Sequence, residues 1–130
     1  MSQPQLLMIV ELGGYPNFEP LYRQVGCQVE KVHSMRKAQA WLKKNKPDVI
    51  VAEFHFDPEL RDRMSNLESL IATLQRYQAE TRVIVFIDAG HRSRLVKLQE
   101  RFPVFAALDY PIDESKLTTA LEQALAEHNV

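Results

Sequence analysis

Carboxylates and imidazoles stand at the ends of apolar runs. Glu11 follows residues 6–10, Glu53 and His55 follow 49–52, Asp88 and His91 follow 83–87, and Asp109 follows 104–108. Two glutamates brought together in this way are oxygen ligands suited to a divalent cation. Paired carboxylates in a half-buried cleft require a counter-charge, and no lysine or arginine is expected at these run ends. Magnesium held by Glu11 and Glu53 would supply it. The competing reading is that these glutamates accept hydrogen bonds from loop N–H groups or face water. Cys27, His55 and His91 lack the tight spacing of a zinc centre.

The elements that must position these groups are legible from periodicity. Residues 6–10, 49–52 and 83–87 are continuous apolar runs, which suit strands covered on both faces and hence a parallel sheet. Residues 28–33 read as a further strand, and 104–108 as a less hydrophobic one at the sheet edge. Between them lie helical stripes. Phe18, Leu21, Tyr22 and Val25 form the first, with Asn17 as cap and Gly26 as stop; Met35, Ala38, Trp41 and Leu42 form the second, opened by Ser34. Met64, Leu67, Leu70, Ile71 and Leu74 make the third, Leu95, Leu98 and Phe102 the fourth. Leu117, Ala120, Leu121, Ala124 and Leu125 make the last, capped by Asp113 with Ile112 stapled to Leu117. Five strand–helix units predict an α/β, doubly wound, five-stranded parallel sheet within a single domain spanning residues 1–130.

In such a sheet, ligands bind beyond the carboxyl ends of the strands. That rule selects Glu11, Leu12, Glu53, Ile87, Asp88, Asp109 and Tyr110. A cleft lined by Leu12, Tyr15, Phe54, Ile87 and Tyr110 would favour an uncharged small molecule over a phosphate.

Composition excludes several classes. Sixteen Lys and Arg balance seventeen Asp and Glu, so no net positive field gathers nucleic acid. The basic cluster of Arg36, Lys37, Lys43, Lys44 and Lys46 reads as the wet face of a helix. A lone cysteine allows no intramolecular disulfide, the first residues show no positively charged leader, and the run at 6–10 is too short to span a membrane. We expect a cytoplasmic chain that, with no output module among its residues, acts through a partner, through self-association or as a cut-out domain of a longer protein.

Four segments taken together carry a resemblance: Val10, Glu11 and Leu12; then residues 47–56 around Glu53; then 82–88, ending in Ile87 and Asp88; then Tyr110 and Pro111. Their order and spacing resemble the receiver domains of bacterial two-component response regulators, over residues 6 to about 125. The resemblance implies strand order 2-1-3-4-5 and a cis bond before Pro111. It also implies a site of two acids after the first strand that hold magnesium, and a phosphoacceptor aspartate after the third. A Thr or Ser after the fourth strand and a lysine before the proline complete it. Here those positions carry Glu11, Leu12, Glu53, Ile87 and Tyr110.

Each departure removes chemistry. Glutamate carries an extra methylene, Ile87 has no hydroxyl, and Tyr110 offers a neutral phenol where an ammonium is needed. Phosphoryl transfer rests on positioning and charge neutralisation, so the expected protein is a pseudo-receiver without turnover, cofactor or bound metal. Asp57 and Asp88 are the remaining candidates for a substitute acceptor. By resemblance, the fourth helix, fifth strand and fifth helix form the docking or homodimer face, presenting Arg92, Arg94, Lys97, Arg101, Asp109, Glu114 and Lys116. Its expected partner is another signalling or regulatory protein, with neither nucleic acid nor a membrane involved.

Overall fold

The computed structural model describes residues 3–55, 67–77, 80–100 and 103–128. Asp57, Arg61, Asp62, Arg63, Met64, Arg101, Phe102 and the final Asn129 and Val130 lie outside the described residues. The elements run β1 (Gln5–Ile9), α1 (Glu19–Gln24), β2 (Gln28–Val32), α2 (Met35–Leu42), β3 (Val49–Glu53), α3 (Glu68–Tyr77), β4 (Arg82–Ile87), α4 (Arg92–Gln99), β5 (Ala106–Asp109) and α5 (Glu114–His128). A 3-10 turn at Ala89–His91 leads into α4. The five strands are parallel in the order β2-β1-β3-β4-β5, as the resemblance implied.

Strand side chains alternate between two cores. Leu7, Ile9, Ile50, Ala52, Val83, Val85 and Ile87 join the buried residues of α2, α3 and α4. Leu6, Met8, Val49, Val51, Ile84 and Phe86 join those of α1 and α5. Because β1, β3 and β4 are covered on both faces, their runs are apolar throughout. The edge strands read differently: β2 shows Glu30 and Lys31 to solvent, and β5 is half-buried.

Caps set several boundaries. The Ser34 side chain accepts from the Lys37 N–H at 3.1 Å, and Asp113 accepts from the Ser115 and Lys116 N–H groups. Helix α1 begins at Glu19, two residues beyond the Asn17 cap expected from the sequence; the Asn17 side chain instead accepts from the Glu19 N–H in a turn ahead of the helix. Cys27 is buried in the α1/α5 core, where burial, and then Asp48, push its thiol up to about 11, so it is inert packing. No helix among the described residues is long and apolar enough to cross a membrane.

Candidate functional site

Glu53 ends the central strand β3 on the same parity as Val49 and Val51, and its side chain therefore points to the α1/α5 face. Among the described residues it is the one charged side chain that is fully buried, at 0% exposure. A buried carboxylate requires donors. The β1–α1 loop supplies them by folding back over the strand end through Gly13 and Gly14, at φ +70° and +85°, a region that only glycine enters without strain.

The two carboxylate oxygens divide the donors. Oε2 accepts from the Glu11 N–H at 3.1 Å, the Gly13 N–H at 3.3 Å and the Tyr15 hydroxyl at 2.6 Å. Oε1 accepts from the Leu12 N–H at 3.0 Å and His55 Nε2 at 2.8 Å. An ionised carboxylate only accepts, so His55 carries a proton on Nε2. Burial opposes ionisation of Glu53. The bonds from Tyr15, the Leu12 and Gly13 N–H groups and His55 outweigh it, and the carboxyl is held below the usual carboxylate range.

The same network fixes an aromatic cluster. Tyr15 stands edge-on to Phe86, with centroids 5.1 Å apart at 89°, and lies near-parallel to Phe18 and to Tyr110, the latter 6.0 Å away at 25°. Burial, then the bond to Glu53, raises the Tyr15 phenol far above its ordinary value. Burial, then the charges of Glu53 and Asp88, pushes Tyr110 up to about 12. Both phenols are neutral at physiological pH. The bond between Tyr110 and Pro111 is cis.

Neither a protein-family model nor a curated protein matches the sequence. Solved structures do. A response regulator receiver domain protein from Clostridium thermocellum superposes with a TM-score of 0.77 at 19% identity, covering 97% of this chain and 97% of its own. The signal receiver domain of an HD domain-containing protein from Pseudomonas fluorescens gives 0.75 at 17%, covering 98% of each chain. A response regulator receiver protein from Sinorhizobium medicae gives 0.73 at 19%, covering 95% and 94%. This chain has the receiver fold.

Within that fold, the expected site residues separate. Leu12 is 79% exposed, and only its N–H serves Glu53. Ile87 lies in the α2–α4 core with Phe54, on the opposite face from Glu53 and Phe86. This corrects the expected cleft: strand alternation takes Ile87 and Phe54 out of it and the loop turns Leu12 to solvent, leaving Tyr15 and Tyr110. Asp88 is exposed and caps the 3-10 turn by accepting from the Gly90 N–H at 2.9 Å. Asp109 is exposed and pairs with Arg92 at 2.6 Å; Arg92 also donates to the Ala107 carbonyl at 3.2 Å, capping the β5 edge. His91 is half-buried with its ring 6.4 Å from that of Phe54.

Magnesium does not fit the residues present. Both oxygens of Glu53 face N–H and O–H donors, whose positive ends occupy the directions a cation would approach from, and Leu12 supplies no oxygen ligand from its side chain. No group of three or more His, Cys, Asp or Glu residues able to hold a metal ion comes together among the described residues.

Tyr15 and His55 are the site residues that sequence reasoning missed as partners of Glu53. Signals existed for both. Consecutive glycines followed by a tyrosine just after a buried strand mark a loop folding tightly over the sheet end, and His55 shares the two-residue parity of Glu53.

Proposed function

We propose that the chain is a pseudo-receiver that works in cytoplasmic signalling or regulation by binding another protein, without phosphorylation or turnover. The observation that supports this most strongly is Glu53: its carboxylate already holds the loop amides, Tyr15 and His55, in the place where a receiver would hold metal and a phosphoryl group. A nucleophile saturated by hydrogen bonds and fully buried is not poised for attack. Incubation with acetyl phosphate and magnesium is expected to give no mass increase of one phosphoryl group. A magnesium-dependent increase would overturn the reading.

Several exposed groups support α4, β5 and α5 as the docking face. Val96 is 54% exposed on α4, an apolar side chain set among Arg92, Arg94 and Lys97. Lys97, Glu114 and Lys116 are exposed and form no ion pair among the described residues. Arg92 and Asp109 are already joined to each other, and Val96 and Lys97 are exposed beside them on α4 as outward determinants. Each exposed charge contributes roughly 0–1 kcal/mol, so the gain lies in specificity. Native capture from the source cell followed by mass spectrometry is expected to recover a partner with the wild type and to lose it with the Arg94→Glu, Lys97→Glu double variant. Equal recovery by both proteins would remove this face from the proposal.

A further inference from the structure

A groove of about 420 Å³ runs between residues 13–16 of the β1–α1 loop and residues 110–112 of the β5–α5 loop. Tyr15 and Pro16 form one wall, Tyr110 and Pro111 the other, and the lining holds no Asp, Glu, Lys, Arg or His. The two tyrosine rings stack at 25° with centroids 6.0 Å apart, so both walls of the groove are aromatic. Tyr15 is fixed from beneath, because its hydroxyl is bound to Glu53 and the adjoining turn is held through the Gly13 N–H, and the Tyr110 ring packs on Tyr15 and Phe86. Such pre-ordering lowers the entropic cost of receiving a ligand.

Hydrogen-bonding character narrows the ligand. With the Tyr15 hydroxyl engaged by Glu53, the lining donors with no partner among the described residues are the Tyr110 hydroxyl and the N–H groups of Gly14, Tyr15 and Ile112. The charges of Glu53 and Asp88 lie close enough to act on Tyr110 and disfavour an acidic ligand. The complementary ligand therefore has apolar ring faces, carbonyl acceptors and no negative charge. Proline-rich segments have this character: their tertiary amides carry carbonyls without N–H, and the extended helix they form is ordered before binding. We propose that this groove docks an uncharged proline-rich segment of a partner protein. It uses none of Arg94, Val96 or Lys97, so its failure leaves the docking face on α4 standing.

Titration of isotope-labelled protein with acetylated, amidated decaproline tests the proposal. Saturable shifts are expected at the amides of Gly13, Gly14, Tyr15 and Ile112. Pro16 is exposed, so Pro16→Glu folds normally and is expected to weaken binding more than about tenfold through a buried unpaired charge. Tyr110→Phe removes one hydroxyl and is expected to weaken it roughly fivefold. Absence of shifts at millimolar decaproline, an equal response to a Gly-Ser decamer, or undiminished binding by both variants overturns the proposal. Shifts with indole but not decaproline would reassign the groove to a small ring ligand, and dilution-dependent shifts of the same amides without peptide would reassign it to a second copy; either also overturns it.

Discussion

Glu53→Ala is expected to lower stability by about 2–4 kcal/mol, because it strands the Glu11, Leu12 and Gly13 N–H groups, the Tyr15 hydroxyl and His55 without their shared acceptor. For a chain of this size that is a fall in melting temperature on the order of 10 °C. Glu53→Gln keeps the shape and one carbonyl oxygen but turns an NH2 toward other donors, so an intermediate loss is expected. Glu53→Asp is equally informative. Shortening the side chain by a methylene withdraws both oxygens from the loop, and a variant carrying the residue found in phosphorylated receivers should be less stable than the wild type. Equal melting temperatures for wild type and Glu53→Ala would show that the network contributes nothing to stability.

The same residue predicts a pH dependence with a defined sign. Glu53 is held below the unfolded-state value of about 4.3, so its stabilising contribution is fully present above that pH and lost as pH falls through the lower folded-state value. The stability gap between wild type and Glu53→Gln is therefore expected to be constant near neutrality and to close in acid. Denaturant titrations at pH 7 and pH 3 measure it. A gap that widens in acid would contradict the assignment of Glu53 as ionised.

Phe86→Ala carries the second large effect. Phe86 is fully buried, and its ring stands 5.1 Å from Tyr15, 6.0 Å from Phe18 and 6.3 Å from Tyr110. Truncation removes the packing surface shared by all three and is expected to cost about 3–5 kcal/mol. It should also loosen the two tyrosines, seen as shifted tyrosine resonances and faster exchange of the Gly13 amide. Phe86→Leu retains most of the volume and should recover much of the stability. A loss of stability with unchanged tyrosine signals would mean that Tyr15 is held by Glu53 alone, without support from the ring beneath it.

Much of this architecture was written locally. The runs ending at Val10, Ala52 and Ile87 are apolar on both parities because a central parallel strand has no wet face, and this made the doubly wound sheet readable without coordinates. Ser34 and Asp113 marked helix starts, since their side chains satisfy N–H groups within a few residues. Chain order alone also placed Glu11, Glu53, Asp88 and Tyr110 at one end of the sheet. Boundaries shifted where propensity was weak, as in β5, which starts at Ala106 rather than at Val104.

Tertiary structure decided what those residues do. Whether Glu53 holds a metal or hydrogen bonds depends on contacts with Leu12 and Tyr15, 41 and 38 residues away in sequence, which no local pattern encodes. Strand parity likewise sends Ile87 to one core and Phe86 to the other, so neighbours in sequence part company at the site. The apolar periodicity that builds a sheet is local and repeated, and the sequence by itself determined the fold for that reason. The chemistry at the strand ends is set by how the β1–α1 loop folds over Glu53, because a buried charge takes its character from the donors that surround it in space.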